Sequence, residues 1–268
     1  MFSRNPVGMV ERLGSDGFGP GEDELAFALA YMADGDMDPA VVARLRDPDR
    51  GEERERVARW RRDRDWAAVS QYRDANRALD GQTTDVVFMG DSITEMWGVA
   101  QPDLFSNGVV NRGISGQTSP QMLVRFMPDV IGLRPRVVHL MCGVNDIAGN
   151  TGPTTPQDYR NTVLAMVSLA QANGVAVILG GVTPITGLPW APGVDNPRGR
   201  VAALNAWLTD LASERGLVHA AYFNVLADAD GALRADLTRD GVHPGSRGYA
   251  AMRPVVDAAI AKALAGPA

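Results

Sequence analysis

The serine of Gly90-Asp91-Ser92 directly follows the apolar run Val86-Val87-Phe88-Met89, where a strand gives way to a helix. A hydroxyl mounted there can act as a nucleophile once a neighbouring base takes its proton. The same three residues also describe a tight turn that caps a helix, so the chemistry depends on what else the chain supplies. Only three histidines can serve as the base. His139 in Val137-Val138-His139-Leu140-Met141 and His219 in Leu217-Val218-His219-Ala220-Ala221 sit inside apolar strand-like runs and read as core residues. His243 lies in the turn-rich stretch Thr238-Arg239-Asp240-Gly241-Val242-His243-Pro244. Pro244 biases it toward an extended conformation that projects the ring. Asp240, three residues earlier, can hold the ring nitrogen that faces away from the serine, fixing the tautomer and stabilising the imidazolium. The competing structural reading is a surface turn at Asp240-Gly241, with His243 capping the next helix.

A serine nucleophile acting on a carbonyl develops charge on oxygen, and each donor aimed at that charge contributes about 3 kcal/mol. Three candidates stand at strand ends. The Ser92 N–H lies at a helix start, where amides point outward and the helix dipole favours an anion. Gly113, in Asn111-Arg112-Gly113-Ile114-Ser115-Gly116, has no Cβ to keep a substrate from its amide. Asn145, in Cys142-Gly143-Val144-Asn145-Asp146, offers a side-chain amide.

These residues need a scaffold that gathers strand ends. Strands are predicted near 86 to 90, 108 to 112, 136 to 141, 175 to 180 and 217 to 222, with helices near 93 to 99, 119 to 131, 157 to 173, 198 to 215 and 246 to 264. Regular βα alternation implies an α/β fold, a three-layer α/β/α sandwich around a five-stranded parallel, flavodoxin-like sheet. Ligands collect at the carboxyl ends of such strands. Residues 1 to 80 lack strand-like runs and read as a helical N-terminal extension, leaving 81 to 268 as the catalytic domain. Within the extension, Glu22 to Met32 and Pro39 to Leu45 read as short helices, and Gly51 to Leu79 as one longer helix or two. Glu52 with Arg56 and Glu55 with Arg59 form acid-first pairs four apart. Trp60, Trp66, Val69 and Tyr72 supply an apolar stripe for docking on this chain or on a second copy, so a homo-oligomer stays open.

With 26 basic and 32 acidic residues among 268, the chain has a formal charge of -6, which argues against nucleic-acid partners and gives no attraction to anionic lipid. One cysteine, Cys142, rules out an intrachain disulfide and cysteine-rich metal sites. No run is long enough to span a bilayer, so no membrane insertion is expected. The residues given show no export signal, which reads as cytoplasmic; a trimmed signal would make the protein periplasmic or secreted.

In order and spacing, Gly90-Asp91-Ser92, Gly113, Gly143-Val144-Asn145-Asp146 and Asp240-Gly241-Val242-His243 resemble the four blocks of the SGNH hydrolases, also called the GDSL esterase/lipase superfamily. The resemblance covers about residues 84 to 265. It implies a serine esterase with Ser92 as nucleophile, His243 as base and Asp240 as orienting acid, and an oxyanion hole of Ser92, Gly113 and Asn145. No metal or organic cofactor is implied. The first block reads Gly-Asp-Ser-Ile where the family name has Leu, a volume-conserving exchange. Asp65-Trp66 to Tyr72, with Asn76, looks like the lead-in of bacterial members. The serine is not in a Gly-x-Ser-x-Gly elbow, so the α/β-hydrolase fold is not indicated.

The family's motifs do not set the substrate. The long connection Thr183 to Gly199 carries Ile185, Leu188 and Trp190, which could wall a small apolar pocket for a small-molecule ester, acetyl to butyryl. Carbohydrate deacetylase, lysophospholipase and acyl-CoA thioesterase are the alternatives within the chemistry. A flavodoxin-like module that merely binds an anion is the alternative outside it, and leaves Asp240 and His243 without a role.

Overall fold

In the computed structural model, the described residues are 28–33, 38–46, 52, 56, 59, 60 and 63–266. Five strands, β1 (Val86–Gly90), β2 (Val109–Gly113), β3 (Val137–Met141), β4 (Ala176–Gly180) and β5 (Val218–Ala220), form one parallel sheet in the order β2-β1-β3-β4-β5. Around it run α1 (Pro39–Arg46), α2 (Arg73–Ala78), α3 (Ser92–Ala100), α4 (Ser119–Asp129), α5 (Val144–Ala148), α6 (Pro156–Ala172), α7 (Pro197–Arg215), α8 (Phe223–Leu226) and α9 (Ser246–Leu264).

The central strands are apolar throughout because both faces are covered. Alternate residues point to opposite faces. Val86 and Phe88 of β1 join Val137 and Met141 of β3 in a core packed against Trp97 of α3 and Tyr249, Met252 and Val256 of α9. Val87 and Met89, with Val138 and Leu140, face the other core, against Met122 and Phe126 of α4, Val163 and Met166 of α6 and Leu208 of α7. His139 lies in the first core, stacked on Phe88 at 4.5 Å and hydrogen-bonded through Nε2 to the Tyr222 hydroxyl at 2.8 Å. Burial pushes its pKa down to about 3, so it stays neutral. His219 lies half-buried on the edge strand.

The strand order reverses between β1 and β3, so the segments after Gly90 and Met141 open a crevice between them. Ser92 and Asn145 lie in the first turns of the helices that leave these neighbouring strands. All five expected strands are present within two residues at either end, and the five long expected helices likewise.

The lead-in is described only in part. Of the helix expected over Glu22 to Met32, residues 22–27 lie outside the described residues, while 28–32 are helical. The expected helix over Pro39 to Leu45 is present as α1. Most of the expected helix over 51–79 before residue 63 also lies outside them. Its described residues up to that point, 52, 56, 59, 60, 63 and 64, are all helical; the chain then turns at 66–72 and is helical again in α2, in keeping with two helices rather than one. The Asp65 carboxylate accepts hydrogen bonds from the amides of Val69 and Ser70 at 2.8 Å each and from the Ser70 hydroxyl at 2.7 Å, a side-chain alternative to helical bonding. Among the described residues, no helix is long and apolar enough to cross a membrane.

Candidate active site

Asp91 caps α3: its carboxylate accepts a hydrogen bond from the Ile93 amide at 3.0 Å. Ser92 is therefore the first helical residue, and its N–H has no protein acceptor among the described residues. Its Oγ lies 2.9 Å from His243 Nε2. The other ring nitrogen, Nδ1, lies 2.7 Å from Asp240 Oδ2. With Nδ1–H donating to the carboxylate, the Nε2 lone pair faces the serine hydroxyl.

The loop carrying the acid and the histidine is fixed by its own hydrogen bonds. Asp240 Oδ1 accepts from the amides of Val242 and His243, each at 2.8 Å. The Thr238 hydroxyl donates to the His243 carbonyl at 2.8 Å and accepts from the Gly241 amide at 3.0 Å. Burial would raise the Asp240 pKa, but the hydrogen bond and charge of His243 outweigh it and hold the carboxyl well below the usual range. Asp240 is thus an anion at neutral pH.

Asn145 is the second residue of α5. Its Nδ2 donates to the Gln117 carbonyl at 3.0 Å and, more weakly, to Asp91 Oδ2 at 3.3 Å. Burial raises the Asp91 pKa to about 6. The Asn145 amide is oriented from behind by Asn150, whose Nδ2 donates to Asn145 Oδ1 at 2.8 Å and to the Gly116 carbonyl at 3.1 Å. Asn150 is in turn held by the Trp190 indole, which donates to its Oδ1 at 3.0 Å. Neither the role of Asn150 nor that of Gly116 was expected. Asn150 stands five residues after Asn145, just past a helix too short to announce itself.

Gly113 requires correction. Its amide is taken by the side chain of Asn111, two residues earlier, at 2.8 Å. Its Cα is pressed against α3, where a Cβ would lie 2.2 Å from the Glu95 amide nitrogen. The glycine serves helix packing, and its N–H is not free for a ligand. Gly116 is the better placed residue: it lies next to Gln117, which accepts from Asn145, and adopts a left-handed φ of 77°. Its amide donates to no protein acceptor among the described residues. The signal in the sequence was the second glycine in Gly113-Ile114-Ser115-Gly116.

Two of the three expected pocket residues also move. Ile185 is fully buried in the core, and Leu188 is nearly so, because the Thr183 to Gly199 connection folds its apolar side chains inward. Trp190 alone remains open, with 46% of its surface exposed. A cleft of about 730 Å³ runs along the same connection, lined in part by Leu188, Pro189, Val194 and Arg239. It reaches Asp240 and Gly241 but neither Ser92 nor His243, so it flanks the acid rather than covering the nucleophile. No group of three or more His, Cys, Asp or Glu stands ready to hold a metal among the described residues.

The model of the GDSL-like lipase/acylhydrolase family matches residues 88–251, which contain every one of these site residues. The chain belongs to that family. GDSL-like acylhydrolases are ester-hydrolysing enzymes, and their SGNH fold is the one built here around Ser92. A candidate acylhydrolase from Bacteroides fragilis NCTC 9343 is 40% identical, covers 75% of this chain and 99% of its own, and superposes with a TM-score of 0.72. A GDSL-like lipase from Bacteroides thetaiotaomicron VPI-5482 is 37% identical, with 74% and 100% coverage and a TM-score of 0.71. An acetylxylan esterase from Geobacillus stearothermophilus, at 22% identity, 66% and 94% coverage and a TM-score of 0.55, shares the fold. No curated protein matches the chain.

Proposed function

We propose that this GDSL-like acylhydrolase is a serine esterase that cleaves short-chain carboxylic esters, acetyl to butyryl, through an acyl-enzyme intermediate. The observation that carries the reading is the relay Ser92 Oγ to His243 Nε2 at 2.9 Å and His243 Nδ1 to Asp240 at 2.7 Å. As Oγ attacks the carbonyl carbon, its proton passes to Nε2, and Asp240 stabilises the imidazolium. The resulting oxyanion is held by the N–H groups of Ser92 and Gly116 and by Asn145 Nδ2, which gives up its longer contact with Asp91. The imidazolium then protonates the departing alkoxide. Water, deprotonated by the same nitrogen, attacks the acyl carbon and releases the acid and the serine.

Support for a small acyl group comes from the connection beside the site: its aliphatic residues Ile185 and Leu188 are spent in the core, leaving Trp190 as the apolar surface near Asn145. An acetylated carbohydrate is the second reading, favoured by that exposed indole, whose ring can stack on a sugar face, and by the acetylxylan esterase that shares the fold. Initial rates on p-nitrophenyl esters from acetate to laurate, acetylated sugars and acyl-CoAs, run on the wild type and Ser92→Ala together, test both. Highest kcat/KM between acetate and butyrate, and none in Ser92→Ala, is expected. Rates that climb toward laurate contradict the small-acyl reading. An acetyl-sugar rate that exceeds p-nitrophenyl acetate and is lost in Trp190→Ala selects the carbohydrate.

A further inference from the structure

The segment before the sheet reaches back over the acid–histidine loop. The Tyr31 hydroxyl donates to Asp240 Oδ2 at 2.8 Å, the same oxygen that accepts from His243 Nδ1. Met32 is buried in the core beside α9, and its carbonyl accepts from the Ser246 hydroxyl at 2.9 Å. The Ala33 carbonyl accepts from the Arg239 guanidinium. Three consecutive residues therefore bond to residues on both sides of the Asp240-to-His243 turn, while 206 to 214 residues of chain separate the partners. A segment that served only to cover apolar surface would have no need to place its one hydroxyl on a carboxylate.

We propose that Tyr31 is a positioning residue for the ester-hydrolysing triad, its hydroxyl locking the Asp240 carboxylate in the orientation that meets His243 Nδ1. This rests on the serine-esterase reading of the site. The carboxylate has limited acceptor capacity. Oδ1 is occupied by the two loop amides, and Oδ2 is divided between the ring and the phenol. Without the phenol, Oδ2 has one fixed donor and the carboxylate is freer to swing. It is also a harder acceptor toward the ring. Burial and the Asp240 charge push the Tyr31 phenol above its ordinary range, so it remains a donor throughout the working pH of the site. The other groups facing this pair are Arg239 and Thr238 on the loop, Tyr249 on α9 and Asp91 at the start of α3.

Tyr31→Phe in the full chain removes the donor and keeps the ring. On p-nitrophenyl acetate, kcat is expected to fall about threefold to tenfold with KM unchanged, the size of one lost hydrogen bond. The ascending limb of kcat against pH is expected to move up by about half a unit, because a carboxylate with one donor fewer favours the imidazolium. Ser246→Ala loosens the same segment but leaves the phenol on Asp240, so its limb stays with the wild type. A Tyr31→Phe enzyme with wild-type kcat and an unmoved limb overturns the proposal, even if its melting temperature has dropped. So does a limb that moves equally in Ser246→Ala. Failure of the esterase reading is distinguishable: Ser92→Ala, run alongside, would then retain activity.

Discussion

At the residue scale, the site depends on which donors and acceptors the protein has left uncommitted. Among the described residues, Ser92 N–H and Gly116 N–H have no acceptors, whereas Gly113 N–H has one. Asn145 lies between these cases: its Nδ2 has one firm bond to Gln117 and one long bond to Asp91, and Asn150 fixes the plane of the amide. Asn145→Ala should therefore lower kcat on p-nitrophenyl acetate by about 10²- to 10³-fold with little change in KM, the signature of a donor used only as charge develops. A loss under threefold would remove Asn145 from the oxyanion site. That Ser92, Asp240 and His243 come together was legible in the sequence, because a serine where a strand gives way to a helix and the one histidine outside an apolar run narrow the choice. The uncommitted amide of Gly116 was not. Which backbone N–H is free depends on whether a neighbouring side chain, here Asn111, has already claimed it.

At the element scale, the serine stands where it does because α3 packs down onto the end of β2. Gly113 makes that approach feasible, since a Cβ there would meet the backbone of Glu95 and Thr94. Gly113→Ala should cost about 1–3 kcal/mol of stability in urea melts and lower activity by displacing the first turn of α3. Gly187→Ala, in the long connection where a Cβ meets nothing, should stay within about 1 kcal/mol of wild type. Equal stability of the two variants would refute the packing role of Gly113. The strands could be read from sequence because burial on both faces makes them continuous apolar runs. α5, only five residues long and closed by Gly149 in a left-handed conformation, carries no period to detect. Ile185 and Leu188 were misplaced for a related reason: composition shows that a connection is apolar, not whether it turns inward.

At the scale of the whole molecule, the two sides of the site are tied together by a buried cation. Arg125 of α4 donates through Nε to Gln117 at 2.6 Å, through Nη1 to Asp129 at 3.0 Å and through Nη2 to the Gly90 carbonyl at 3.2 Å. Gln117 reaches the Ala67 carbonyl at 2.9 Å, and Asp129 accepts from Asn76 at 2.7 Å, so the lead-in is fastened to the same centre. Both Arg125 and Asp129 are fully buried, and removing one leaves the other charge without its partner. Arg125→Ala should cost about 3–5 kcal/mol, read as a fall in melting temperature of about 6–15 °C. A change below 2 °C would show that the network does not hold the fold.

In the proposed reaction Ser92 carries the acyl group. Incubating the full chain with a fluorophosphonate, then locating the adduct by peptide mass, tests it most directly. One adduct is expected, on the Ser92 peptide, forming in step with the loss of ester hydrolysis and failing to form in His243→Ala. An enzyme that cleaves p-nitrophenyl acetate yet stays unlabelled at Ser92, or loses activity through an adduct elsewhere, would contradict it.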